Sequence, residues 1–83
     1  MGSRLTLVSR TYCHLCEEME RSLRELATSL DLELEIDVCD VDLDPDLLSR
    51  FDEWVPVLLH EGEELCHYHL DVAKVRDYLS KIG

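Results

Sequence analysis

Apolar residues recur along this chain in two rhythms. Leu5-Thr6-Leu7-Val8-Ser9 is short, apolar and β-prone, and predicts a buried strand. After a polar turn at Arg10-Thr11-Tyr12, the residues Leu15, Met19, Leu23, Leu26 and Leu30 recur at steps of four, four, three and four. That is one stripe of a helix over roughly residues 14–30. Its opposite face carries Glu17, Glu20, Arg21, Arg24 and Glu25. Glu17–Arg21 and Glu20–Arg24 place the acid four residues before the base, the favourable order on a helix. The rhythm then switches to two. From Asp31 to Val38, Leu32, Leu34, Ile36 and Val38 alternate with Asp31, Glu33, Glu35 and Asp37. A central parallel strand is apolar on both faces. One acidic face therefore predicts a strand at the sheet edge, where like charges discourage pairing with another chain.

Asp44 is a good N-cap and Pro45 suits the first helical position, so Leu47, Leu48 and Phe51 form the apolar stripe of a short second helix. Trp54-Val55-Pro56 ends it. Val57 to Leu59 reads as a strand, His60-Glu61-Gly62-Glu63 as a turn and Glu64 to Tyr68 as a second strand, together a hairpin. Asp71 caps a last helix with Val72, Val75, Leu79 and Ile82 on one face, and Leu70 and Val75 are spaced as a hydrophobic staple. The order is β-α-β-α-β-β-α. Its strand–helix–strand start implies a parallel pair with a right-handed crossover. No linker or repeat interrupts residues 1–83, which we read as one domain.

Charge and composition narrow the function. Eight basic and nineteen acidic residues give a net charge of −11. Such a surface repels phosphate backbones and anionic lipid, so neither nucleic acid nor membrane is an expected partner. It suits a protein with a basic face, or serves solubility alone. No apolar run reaches the roughly 18 residues of a membrane span. The start, MGSRLTLVS, has no apolar stretch of the secretory kind, and Met1-Gly2-Ser3 is either a native start or a cloning scar. Four cysteines in a chain with a good apolar pattern, and without such a leader, point to a reducing cytoplasm rather than a disulfide scaffold.

Cys13 and Cys16 carry the candidate chemistry. Cys13 falls where the first strand gives way to the first helix. Unpaired first-turn N–H groups and the positive end of the helix dipole lower a thiol pKa there. Cys16, three residues on, lies on the same face within disulfide reach. The pattern suits two-step exchange, with Cys13 as nucleophile and Cys16 as resolving thiol. Arg10 is expected to add positive charge near the sulfur, whereas Glu17 and Glu18 oppose it. Metal binding is the rival, because Cys13, Cys16, Cys66, His67 and His69 supply enough ligands. Neighbours in a strand face opposite sides, however, so Cys66 and His67 do not easily share an ion. Cys39 and Cys66 read as small packed residues, and His60, His67 and His69 as solvated or rim residues with no evident partner. Trp54 either borders a docking groove or packs over the second helix.

In RTYCHLC, VCDVDLDPDLLSRF and WVPVLL the chain resembles the thioredoxin superfamily, and its glutaredoxins in particular. The closest likeness is to small bacterial glutaredoxin-like proteins without an assigned physiological role. The resemblance implies an α/β, thioredoxin-like (glutaredoxin-type) fold, with a four-stranded mixed sheet in the order 2-1-3-4 flanked by helices. It also implies a cis Val55–Pro56 bond close to the cysteines, with Val55 pairing with the bound thiol substrate. The implied activity is thiol–disulfide oxidoreduction of protein or mixed disulfides. The expected groove comprises Arg10, Tyr12, His14, Leu15, Val55, Pro56 and Asp71. No resident cofactor or metal is expected; glutathione or a protein reductant, from a thioredoxin or glutathione reductase system, would be co-substrate to a monomer. Two departures stand out. His14-Leu15 replaces the Pro-Tyr usual between the cysteines, and HYHLDVAK lacks the glycines that grip glutathione, leaving Asp71 to accept its amine. In that topology Cys39 and Cys66 lie about 14 Å apart, three strand spacings, too far for a disulfide. Two further readings share the fold: an iron–sulfur cluster held between two chains, and a redox-silent interaction module.

Overall fold

A computed structural model describes residues 3–82. The elements are β1 (Ser3–Ser9), α1 (His14–Ser29), β2 (Leu34–Asp40), a single 3-10 turn (Val41–Leu43), α2 (Pro45–Phe51), β3 (Val57–His60), β4 (Glu63–His67) and α3 (Val72–Ile82). The strands form one sheet in the order β2-β1-β3-β4, as the resemblance implies. β1 runs parallel to β2 and antiparallel to β3, which forms the hairpin with β4. Met1 and Gly2, read as native start or scar, lie outside the described residues, as does the Ile82 side chain; Ser3 opens β1.

The two central strands are apolar on both faces because both faces are covered. Leu5, Leu7 and Leu58 pack with Met19, Leu23 and Leu26 of α1 and Val75 and Leu79 of α3. Val8, Val57 and Leu59 turn the other way, against Val41 and Phe51. Each such side chain contributes roughly 1.5–3 kcal/mol on burial. These two clusters hold β1 and β3, and with them the site at the end of β1.

The first helix ends one residue earlier than its stripe predicts, and β2 begins at Leu34 rather than Asp31. The cause is the cap. Leu30 closes α1, Asp31 takes φ 54°, and the N–H groups of Asp31 and Leu32 donate back to the Thr28 and Ala27 carbonyls. This paired arrangement satisfies carbonyls that the helix end leaves free. Leu32, Leu34 and Ile36 pack against the core as expected, but Val38 stays half exposed. Asp44 caps α2, accepting from the N–H groups of Asp46 and Leu47, with Pro45 behind it.

The hairpin turn is tighter than the four-residue reading. Glu61 (φ 51°) and Gly62 (φ 85°) form a two-residue loop of the mirror-image kind that matches strand twist. β4 carries a bulge. Leu58 opposes Cys66 and Leu59 opposes Glu64, leaving Leu65 as the extra residue. Leu65 and Cys66 consequently both pack against the α1–α3 core.

Asp31 stands in left-handed backbone, beside the negative end of a helix with no basic residue in its last turn. Both features disfavour it. Asp31→Gly is expected to stabilise the fold by about 0.5–1 kcal/mol, read as a Tm rise of several degrees. An unchanged or lower Tm would contradict this reading of the cap.

Candidate active site

The site is built where β1 stops. Arg10, Thr11 and Tyr12 turn the chain, Tyr12 with φ 60° and its side chain 99% exposed. Cys13 is extended (φ −101°, ψ 109°) and is the N-cap of α1. Its carbonyl accepts the first helical hydrogen bond, from the Glu17 N–H at 3.2 Å. Its sulfur accepts the Cys16 N–H at 3.1 Å, the role a serine or aspartate oxygen usually plays at a helix start. Cys13 and Cys16 are joined as a disulfide with Cα atoms 5.2 Å apart. Cys13 is half-buried, whereas Cys16 is only 4% exposed and belongs to the buried face of α1.

Sheet register brings the other elements to this end. Val8 pairs with Val57, and Val57 with His67. The starts of β3 and the ends of β1 and β4 therefore share one edge. The Val55–Pro56 bond, immediately before β3, is cis. Tyr68, immediately after β4, donates its N–H to the Pro56 carbonyl (2.9 Å) and its hydroxyl to the Glu53 carbonyl (2.8 Å). These two bonds hold Tyr68 at φ 64°, a conformation rare for a bulky residue. Trp54 packs on Tyr68 (ring centroids 5.9 Å) and edge-on against His67 (5.2 Å). A groove of about 210 Å³ runs between α1 and the β4–α3 connection, lined by Leu15, Glu18 and Met19 on one side and Tyr68, Leu70 and Val72 on the other.

Of the predicted residues, Arg10 stands differently from expectation. Arg10 is not a free charge beside the sulfur. Its guanidinium grips both Asp42 oxygens (2.9 and 3.1 Å) and also bonds Asp52, and these carboxylates raise its pKa further. It pins the β1–α1 turn to the 3-10 turn and to the end of α2, its charge already met. His14 points into solvent, 95% exposed, with the Glu17 carboxylate 3.9 Å away. Asp71 caps α3: its side chain accepts the Lys74 N–H at 3.1 Å and its carbonyl the Val75 N–H at 2.9 Å. Val55 packs partly buried against the α2 cluster. Trp54 packs on His67 and Tyr68 at the end of β4. Two histidines have partners after all, His60 in the Tyr78 hydroxyl and His67 in Glu64 at 3.3 Å and Trp54. Tyr68 lines the groove, although the sequence marks it only as the end of a strand. Its strand-like setting in sequence hides the left-handed turn, and no local signal marks it.

Cys39 and Cys66 are free thiols on the two edge strands. Among the described residues, no group of three or more His, Cys, Asp or Glu gathers to hold a metal ion. No described helix is long and apolar enough to cross a membrane.

A family model for the glutaredoxin-like domain (DUF836) matches residues 4–80. The chain belongs to this glutaredoxin-like family. A solution structure of protein Ne2328 from Nitrosomonas europaea is 39% identical with TM-score 0.78, over 94% of this chain and 92% of that one. An X-ray structure of protein XcR50 from X. campestris is 29% identical with TM-score 0.72, over 93% and 96%. Thioredoxin 1 from Thermosipho africanus, at 18% identity, TM-score 0.57 and coverage of 95% and 97%, shows the thioredoxin-like fold alone. Comparison with curated proteins finds no match.

The bulge that turns the partly buried Cys66 onto the core has a chemical consequence. Burial pushes its thiol pKa up, and a hydrogen bond with the Asp71 backbone only partly offsets this. In native glutaredoxin-like protein, alkylation of Cys66 at neutral pH should be slower than after denaturation, and should accelerate as the pH turns alkaline. Equal native and denatured rates would contradict the packing of β4.

Proposed function

We propose that this glutaredoxin-like protein is a thiol–disulfide oxidoreductase. One observation carries the reading: the Cys13 sulfur receives a backbone N–H in the first turn of α1 and sits within bonding distance of a buried Cys16. The hydrogen bond and dipole favour a thiolate on the more accessible of the two sulfurs. The buried partner has to wait for a bond that comes to it.

In the reduced protein, the Cys13 thiolate attacks one sulfur of a substrate disulfide. A Cys13–substrate disulfide forms, and the other substrate sulfur leaves as a thiolate that takes a proton from water. Cys16 then loses its proton and attacks the Cys13 sulfur. The Cys13–Cys16 disulfide forms and the second substrate thiolate departs. The substrate gains two electrons and the pair loses two. An external thiol or dithiol reductant restores the pair by the reverse exchange. Tyr12, Leu15 and the Val55-Pro56 segment border the attacked bond, and backbone groups of Val55 pair with the substrate chain.

Cys16→Ser removes the second step and keeps the first. With a small neutral disulfide, this variant should accumulate a mixed disulfide on Cys13, seen by mass spectrometry as a stable adduct. Cys13→Ser should form no such adduct. Faster alkylation of Cys16 than of Cys13 in the reduced protein would overturn these roles.

A further inference from the structure

The surroundings of the pair discriminate by charge. Arg10, three residues before Cys13, is the arginine nearest to it in sequence, and it is held by Asp42 and Asp52. Thr11 adds Asp40 to the same side through a 3.2 Å hydrogen bond. Glu17 and Glu18 follow Cys16, and Glu18 lines the groove. Glu53 is exposed beside the Tyr68 hydroxyl that its carbonyl receives. Lys74, two residues beyond Val72, is the cation closest in sequence to the far wall, where Asp71 precedes it. Carboxylates therefore outnumber cations on the segments that carry and flank the pair, within a chain of net charge −11.

The same segments present aromatic faces. Tyr12 is fully exposed, and Trp54 and Tyr68 are 44% and 38% exposed. An apolar, aromatic centre ringed by mostly negative charge is the anatomy of a protein-binding patch rather than of a small anion site. Aromatic faces with neighbouring carboxylates attract guanidinium and ammonium groups in particular.

We propose that the preferred substrate is a disulfide in a protein chain flanked by lysine or arginine, and that the anionic disulfide of glutathione is disfavoured. This rests on the exchange chemistry above and specifies which disulfides enter it. Basic side chains either side of the attacked bond meet Glu18, Glu53 and the Asp40–Asp42–Asp52 group, whose three carboxylates exceed the single charge of Arg10, and their stems lie on Trp54 and Tyr68. The covalent steps are those already written; charge selects the partner and speeds encounter.

The test uses reduced protein and three peptide disulfides that differ only in their flanks: lysine and arginine, serine, or glutamate. Each rate is divided by the rate of the same peptide with dithiothreitol, which removes differences in leaving-group reactivity. The basic peptide should exceed the acidic one by about tenfold or more at low ionic strength, and added salt should shrink the ratio. Glu18→Gln with Glu53→Gln should lower the ratio as well. Equal normalised rates, or a ratio insensitive to salt, would overturn the charge selection and leave the exchange reading standing. No reaction with any of the three peptides would overturn the exchange reading itself.

Discussion

The Cys16 N–H pointing at the Cys13 sulfur is the interaction on which the rest of this site depends. A helix start leaves several N–H groups without helical partners, and most chains meet them with a hydroxyl or carboxylate. Here a cysteine sulfur holds the cap position, within the disulfide in this structure. A hydrogen bond to a charged acceptor is worth roughly 1.5–3 kcal/mol, and the dipole adds about 0.3–1 kcal/mol. Glu17 and Glu18 work against the thiolate, but exposed carboxylates act through water, where a unit charge contributes about 1 kcal/mol at 4 Å and less farther out. The cap wins by magnitude, and the acidic helix face costs the site only part of that gain.

Everything else serves to keep that cap in place and in reach. Two-sided burial of β1 and β3 fixes the height at which α1 begins. Arg10 ties the turn before Cys13 to the 3-10 turn and to the end of α2, so three connections share one anchor. Tyr68 does the same from the other side, bonded to the carbonyls of Glu53 and Pro56. The site is thus made of segment ends held by side-chain and backbone bonds, on a sheet whose register brings them together. Cys16 lies in the core and Cys13 at its margin, the separation that the proposed resolving and attacking roles call for.

Much of this was legible in the chain itself. The stripe from Leu15 to Leu30, the acidic alternation of β2, the Asp44-Pro45 start and the spacing of Cys13 and Cys16 each express a local physical rule, and each element appears within a few residues of where that rule places it. The less legible features depend on partners distant in sequence. Arg10 looks like a cation for the sulfur until Asp42 and Asp52, more than thirty residues away, claim it. The β4 bulge and the left-handed Tyr68 arise from pairing with β3 and from bonds to the segment before it. The partners of His60 and His67 come from packing between elements. Asp31 shows the opposite limit: its alternation with Leu32 mimics a strand, and only the closing hydrogen bonds of α1 reveal a cap.

The central claim is that the helix start makes Cys13 an activated thiol despite the acidic surroundings. The most direct measurement is a pH titration of Cys13 in the reduced protein, following thiolate absorbance and alkylation rate, with Cys16→Ser isolating the one site. The account predicts a pKa about one unit or more below the roughly 8.5 of a free cysteine. A value at or above that reference would mean that the cap does not activate the sulfur, and would contradict the account.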